Sequence, residues 1–355
     1  MELEGLGYEG KIATLITADA WEGFELARVI VEHKERYIVQ TVQGTYHAEI
    51  TGNLRFSASS RRDFPAVGDW VKVTPMDENS AVILEVFPRT SLLERQAVGK
   101  HGETQIIATN IDVAFIVQAV GHDYNLKRIE RYMAICHASD IKPLIILTKI
   151  DLVQEEEVEK LVGQIKERIK HIQVIPLSNE TQKGFDQLHA VMYPHKTYCF
   201  LGSSGVGKST IINHLCGQEV LKTSLISSST NKGRHTTSHR ELMVLPNKSI
   251  VIDTPGMREV GMTDQAEGIE MTYDEIVELA EQCKFNDCTH THEVGCAVLE
   301  AVNAGEISQD AYDNYLKLKR EQSHFSSTLK EKRQKSKEQG KLYKAIQAEK
   351  RKHKY

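Results

Sequence analysis

The residues Gly202-Ser203-Ser204-Gly205-Val206-Gly207-Lys208-Ser209 match the G-x-x-x-x-G-K-[ST] pattern of a phosphate loop at every fixed position. Glycines at 202, 205 and 207 would let backbone N–H groups close around a β-phosphate at a helix N-terminus, where the helix dipole favours anions. Lys208 would reach the β- and γ-phosphates, the Ser209 hydroxyl would ligate Mg²⁺, and Thr210 follows in the first turn. Downstream, Asp253-Thr254-Pro255-Gly256 supplies a D-x-x-G motif. Asp253 would hold Mg²⁺ through a water, and the Gly256 N–H can approach the γ-phosphate closely because no Cβ intervenes.

Upstream lies Thr148-Lys149-Ile150-Asp151, a guanine-recognition motif. A carboxylate at Asp151 accepts from guanine N1–H and N2–H₂. Adenine has no donors there and would leave the carboxylate unpaired, so the expected nucleotide is GTP rather than ATP. At Ser178-Asn179 a backbone N–H could meet guanine O6. Thr148 stands where most GTPases carry Asn; it keeps a hydroxyl for bracing the phosphate loop but offers fewer hydrogen bonds, which predicts modest affinity. Ordinary GTPases place the guanine motif after the phosphate loop. Here the complete set is rotated, an order the fold can accommodate because every motif sits on a loop at one edge of a sheet.

Two segments bear on hydrolysis. Residues 230–237, Thr-Asn-Lys-Gly-Arg-His-Thr-Thr, have the polar, glycine-containing composition of a switch, and Thr236 or Thr237 would complete the Mg²⁺ shell. Met257 occupies the position after D-x-x-G where many GTPases orient the attacking water with Gln. A thioether cannot do this. Intrinsic turnover is therefore expected to be slow, on the order of 10⁻⁴ to 10⁻² per second, until a partner orders the switch or supplies a group. His235 is the candidate internal group for holding that water, with Lys208 and Thr236 completing the catalytic set.

A second constellation, Cys283-x₄-Cys288-x-His290-x₅-Cys296, has the composition of a closed tetrahedral Cys₃His zinc site with a structural role; His292 is the rival fourth ligand. Cys136, Cys199 and Cys216 fall on apolar faces and read as core residues in a reducing cytosol.

The elements that must position these groups are legible as short apolar runs. Residues 143–147, 174–177, 197–201 and 249–252 read as buried strands that end in the motifs, as in a parallel α/β sheet whose ligands bind at the strands' C-terminal edge. In the first hundred residues, segments 13–17, 25–31, 37–42, 45–50, 70–74 and 81–86 are β-rich and separated by turn signals, which predicts a small barrel. A barrel of the OB type commonly binds single-stranded or irregular RNA through basic and aromatic side chains on one face. Arg55, Arg61, Arg62, Arg89 and Arg95 are candidates, with Phe56 and Trp21 for stacking and Trp70 as barrel filling.

At 355 residues the chain exceeds a single core, and neither a signal peptide nor an apolar run of membrane-spanning length is evident, so a soluble cytoplasmic monomer without membrane contact is expected. The net charge of -5 hides an asymmetry. Residues 316–355 carry 14 Lys or Arg against 4 Asp or Glu, a surplus of +10, so residues 1–315 carry -15. The basic tail suits RNA phosphates, while the acidic remainder requires RNA contact to be local.

In rotated motif order, in the following Cys₃His cluster, and in Val67-Gly68-Asp69-Trp70-Val71, residues 105–112 and Asn125-Leu126-Lys127-Arg128-Ile129-Glu130-Arg131-Tyr132, the chain resembles the RsgA (YjeQ/YloQ) family of circularly permuted GTPases. The resemblance covers nearly the whole length. It implies a multidomain protein: an N-terminal OB-fold β-barrel over 1–100, a permuted α/β P-loop GTPase domain over 101–264, and a mainly α zinc-binding domain with a basic tail over 265–355. It also implies late maturation of the small (30S) ribosomal subunit as the function, with binding to the subunit and its rRNA in the GTP state and ribosome-stimulated hydrolysis to GDP and phosphate. A GTP-dependent RNA-binding regulator without ribosome-stimulated turnover is the alternative, and a P-loop ATPase or small-molecule kinase the third reading.

Overall fold

A computed structural model describes residues 2–33, 35–96, 104–217, 240–253 and 265–326. The chain opens with a short helix, α1 (Lys11–Leu15), and then five strands, β1 (Glu25–His33), β2 (Arg36–Gln40), β3 (Thr45–Ile50), β4 (Trp70–Pro75) and β5 (Ser80–Val86), with α2 (Gly52–Ser57) between β3 and β4. The strands pair in the order β1-β2-β3-β5-β4 and close through β1–β4; only β3–β5 is parallel. This is a five-stranded OB barrel. Period-2 alternation turns Ala27, Val29, Tyr37, Val39, Ala48, Val71, Val73, Ala81 and Ile83 into its buried interior.

Two expectations for this region need correction. Residues 13–17 do not form a strand, because Lys11–Leu15 is helical; Ile12 and Ile16, four apart, are buried on one face, while Leu15 is half exposed. Trp70 is buried, but not in the barrel. The parity that sends Val71 and Val73 inward sends Trp70 outward, into a separate cluster with Leu6, Ile12, Ile16, Leu26 and Phe87.

A ribbon of β6 (Leu92–Gln96) and β7 (Thr104–Thr109) follows, then β8 (Val113–Ala119), α3 (Leu126–Ala138), β9 (Lys142–Thr148), α4 (Glu155–Arg168), β10 (Val174–Leu177), α5 (Phe185–Ala190), β11 (Thr197–Leu201), α6 (Lys208–Cys216), β12 (Arg240–Val244) and β13 (Ile250–Asp253). The second sheet runs β10-β9-β8-β11-β13-β12, parallel except for the last pair. Its strands are near-continuous apolar runs because both faces are covered: one core includes Ile129, Met133 and Ile165 of α3 and α4, the other Leu188, Ile211 and Leu215 of α5 and α6.

The barrel and this sheet share a seam. β1 pairs with β12 through Val31↔Glu241 and Glu32↔Arg240, so hydrogen bonding is continuous across both units. Behind it, the buried Arg28 donates to the carbonyls of Leu6, Gly68 (3.2 Å) and Asn110 (3.2 Å) and to Thr197 Oγ1 (3.0 Å). Burial lowers its pKa to about 10, still leaving it cationic at neutral pH. Gly68, at φ +97°, permits the close approach: a Cβ there would lie 2.2 Å from the Thr109 carbonyl oxygen.

The C-terminal part is helical: α7 (Ala266–Thr272), α8 (Asp274–Ala280), α9 (Ala297–Ala304) and α10 (residues 309–326). It is seated on α3. Gly268 of α7 packs so closely that a Cβ would fall 2.1 Å from the Ala134 carbonyl oxygen, and Ala134 belongs to the same apolar cluster as Ile269, Tyr273, Tyr315 and Leu318. Among the described residues, no helix is long and apolar enough to cross a membrane.

Candidate nucleotide site and metal centre

The phosphate loop leaves the buried strand β11 at Gly202 and enters α6 at Lys208. Both ends need glycine. At Gly202 (φ +154°) a Cβ would meet the Val117 carbonyl oxygen at 2.3 Å, and at Gly207 (φ +99°) it would meet Asn179 Nδ2 at 2.6 Å. Val206 is buried in the apolar core and anchors the loop, leaving Ser203 and Ser204 half-buried and Gly205 exposed. Lys208 folds back over the loop, its ammonium donating to the carbonyls of Gly202 at 2.8 Å and Ser203 at 2.6 Å. Ser209 is half-buried in the first turn of α6, and Thr210 beside it is exposed.

The guanine motif meets this loop from β9. Thr148, fully buried, donates its hydroxyl to the Val206 carbonyl at 2.7 Å, with the Gln118 carbonyl as a longer second acceptor at 3.4 Å. The chain then turns through Lys149 in the left-handed region (φ 61°) and presents Asp151 at the surface. Leu177 pairs with Thr148, so Ser178 emerges beside the motif; its Oγ donates to Asp151 Oδ1 at 2.5 Å and accepts from Thr181 N at 3.1 Å. One carboxylate oxygen is therefore oriented from behind. Asn179 reaches across to the phosphate loop, with Nδ2 3.4 Å from the Gly207 carbonyl oxygen.

Asp253 ends β13, whose parallel pairing with β11 brings it to the same edge. The Ser209 hydroxyl and the Asp253 carboxylate are both half-buried and are hard oxygen donors of the kind Mg²⁺ takes. His235, Thr236, Thr237, Gly256 and Met257 lie outside the described residues, as does the tail over 327–355.

Sequence reasoning missed one group here. Arg128, in the first turn of α3, donates through Nη1 to Ser203 Oγ of the phosphate loop at 2.7 Å and to Asp123 Oδ1 at 2.8 Å. It lies within the segment 125–132 noted in the sequence, but that segment gives no sign of its role, because its two partners are 5 and 75 residues away.

The Cys/His constellation converges between α8 and α9. One donor atom from each of Cys283, Cys288, His290 and Cys296 lies within 4.8 Å of the others. Cys283 Sγ is 3.8 Å from Cys296 Sγ and 3.6 Å from His290 Nδ1, and Cys296 Sγ is 3.5 Å from His290 Nδ1. Metal–sulfur and metal–nitrogen bonds of about 2.3 and 2.0 Å in a tetrahedron require edges of about 3.8 and 3.5 Å, so the four residues fit a metal ion. His290 sits at φ 58° and Gly295 at φ 81° to close the loop. His292 stands apart, its Nδ1 2.8 Å from Thr291 Oγ1. Cys136 and Cys199 are buried core thiols whose pKa values burial pushes up; Cys216 is half-buried.

On the barrel, most candidate arginines are engaged. Arg62 makes a two-bond pair with Glu94 (2.9 and 2.6 Å) and Arg89 another with buried Asp69 (2.7 and 2.6 Å). Arg95 donates to Gln105. Arg55 and Arg61 share Glu35 yet keep side chains more than half exposed, and Phe56 beside them is 92% exposed. Trp21 packs edge-on against Tyr8 at 5.6 Å.

Comparison with known proteins is consistent with this arrangement. Residues 86–263 match the model of the RsgA GTPase family. The small ribosomal subunit biogenesis GTPase RsgA 2 of Lactiplantibacillus plantarum is 43% identical over 317 residues, covering 88% of each chain. Among solved structures, YjeQ from Thermotoga maritima superposes with a TM-score of 0.62 at 25% identity, covering 84% of this chain and 98% of that one. YloQ, described as a circularly permuted GTPase, gives 0.61 at 25% identity, covering 85% and 96%.

Proposed function

This chain belongs to the RsgA GTPase family and is a GTP hydrolase, and we propose that it acts in biogenesis of the small ribosomal subunit, binding the subunit and its rRNA with GTP and leaving after hydrolysis to GDP and phosphate. The observation that carries the nucleotide part is the joining of the two loops at one sheet edge: the guanine-motif Thr148 holds the phosphate loop at Val206 while Ser178 orients Asp151 toward a base. The assignment to the ribosome rests on the relative's printed name. The organisation proposed is a barrel domain over 1–100, the permuted GTPase over 101–264 and the metal-bearing domain over 265–355, acting as a cytoplasmic monomer.

In this reading Asp151 accepts from guanine N1–H and N2–H₂, Lys149 flanks the base, and the backbone after Ser178 meets O6. The N–H groups of residues 202–210 cradle the phosphates. Lys208 turns from its loop carbonyls onto the β- and γ-phosphates, and Gly256 approaches the γ-phosphate. Ser209, Asp253 and Thr236 would hold Mg²⁺, which when bound neutralises charge on the β- and γ-oxygens. His235 orients the attacking water in the ribosome-bound state, because the Met257 thioether cannot. Cys283, Cys288, His290 and Cys296 hold one Zn²⁺ as a closed, structural site, since all four positions come from protein.

The test is the GTP turnover rate with and without purified small subunits, with large subunits and ATP as controls. A stimulation of tenfold or more, specific to small subunits and GTP, is expected and is lost in His235→Ala. A slow rate unchanged by subunits, with GTP-dependent binding to isolated RNA, would establish the regulator instead.

A further inference from the structure

Arg128 ties the start of α3 to the phosphate loop. Its guanidinium is oriented by Asp123, whose Oδ1 accepts at 2.8 Å and whose carbonyl lies at 3.3 Å, and it ends on Ser203 Oγ in the phosphate loop at 2.7 Å. Asp123 is itself fixed, since its carbonyl accepts from the side-chain amide of buried Gln118 on β8. The phosphate loop is thus clamped at two points, Ser203 by Arg128 and Val206 by Thr148.

One face of α3 covers the sheet, and another meets the C-terminal module. Lys127 pairs with Asp310 at 2.7 Å, and Arg131 makes a two-bond pair with Glu321 at 2.7 and 2.8 Å. Between them the buried Glu130 accepts from Arg168 of α4 at 2.5 Å and from Asn314 of α10 at 2.6 Å. Asn314 also donates to the Tyr273 hydroxyl at 2.8 Å. One turn later, Ala134 packs backbone to backbone against Gly268. The buried, fully paired Glu130 at the centre of these contacts has few alternative arrangements, and a close-packed interior transmits strain.

Resting on the GTPase reading above, we propose that Arg128 is a positioning residue for the phosphate loop, and that through it the seating of the C-terminal metal-bearing module on α3 sets the geometry in which GTP is bound and hydrolysed. The charge-assisted bond to Ser203 orders the loop in the hydrolysis-competent shape. Loosening the module from α3 moves the guanidinium and relaxes that shape.

The experiment uses the full-length protein and a cycle of Arg128→Gln, Ser203→Ala and Arg131→Ala, with Arg128→Lys as the conservative variant. GTP turnover and GDP affinity are both measured per folded, nucleotide-binding molecule. Arg128→Gln should lower turnover about tenfold, and Ser203→Ala should add little to it because both remove the same bond. Arg131→Ala should lower turnover in the wild-type background and leave it unchanged in the Arg128→Gln background, with Arg128→Lys intermediate. Additive effects of Arg128→Gln and Ser203→Ala, or an Arg131→Ala effect that persists without Arg128, would overturn the proposal, since a merely stabilising role gives additive losses. Wild-type turnover and its loss in Lys208→Ala are measured beside these. If the wild type itself fails to hydrolyse GTP, the reading of the site falls and this inference with it.

Discussion

Thr148 donates its hydroxyl to the main-chain carbonyl of Val206 at 2.7 Å, across 58 residues of sequence and between two motifs. The residue that stands where most GTPases carry Asn therefore keeps the bracing function with one donor, and both partners are buried. Thr148→Val preserves shape and leaves the Val206 carbonyl without its donor, which costs about 1–3 kcal/mol in a buried site. Affinity for GDP should fall about tenfold, while Thr148→Ser should stay within a few-fold of wild type. Fluorescent-nucleotide titration measures both. An unchanged affinity in Thr148→Val would show that the brace does not hold the loop.

Asp151 is exposed and has one oxygen taken by Ser178, and in the proposed reading its remaining acceptor capacity serves the guanine base. Asp151→Asn replaces an acceptor with an amide donor, which meets the N2–H₂ of guanine donor to donor but matches the C2 carbonyl of xanthine. GTP affinity should drop by about 10² or more, and XTP should become the better ligand. Equal losses for both nucleotides would indicate collapse of the loop rather than a change of specificity.

The phosphate and guanine loops were readable because each motif is a run of neighbours bounded by an apolar strand, and the strand's C-terminal end fixes where the run must sit. The metal cluster was readable for the same local reason, with Cys283 to Cys296 spanning one turn between helices. What the sequence hid is pairing at a distance. Arg62 and Arg89 looked like free cations, yet Glu94 and Asp69, 32 and 20 residues away, claim them. Arg28 sits in a β-strand that reads like any other, although its side chain ties Leu6, Gly68, Asn110 and Thr197 into the seam between barrel and sheet. The helix at Lys11–Leu15 was hidden by an ambiguity of period, since Ile12 and Ile16 satisfy both a four-residue helical repeat and a two-residue strand repeat.

Removing metal should loosen the loop between α8 and α9 first and leave the seating of α7 and α10 on α3 in place. The loop over 281–295 is mostly exposed, with Cys283, Cys288 and His290 only half-buried, so a bound ion would supply much of its stability. Chelation, or Cys288→Ser, should release one equivalent of zinc, expose the loop to proteolysis and reduce binding to small subunits. GDP affinity should remain within a few-fold, because α3 is gripped through Gly268, Asn314 and Glu321 rather than through the metal loop, so the Arg128 contact to Ser203 persists. Loss of nucleotide binding on a par with loss of zinc would contradict this separation.

The seam between α3 and α7 should weaken in mild acid. His137 packs there with Nδ1 3.1 Å from Thr272 Oγ1, and burial lowers its pKa, opposed in part by Asp274. In the unfolded chain the same imidazole titrates near the ordinary value of about 6.5. Between that value and the lower folded one, the unfolded state binds more protons, so stability falls as pH falls. The full contribution is present above about pH 6.5 and is lost as the pH drops through the folded value. His137→Gln keeps a polar group facing Thr272 and removes the titration. Urea denaturation between pH 8 and pH 5 should show wild type losing more stability than His137→Gln across this window. Parallel pH profiles would mean that His137 is solvated in both states.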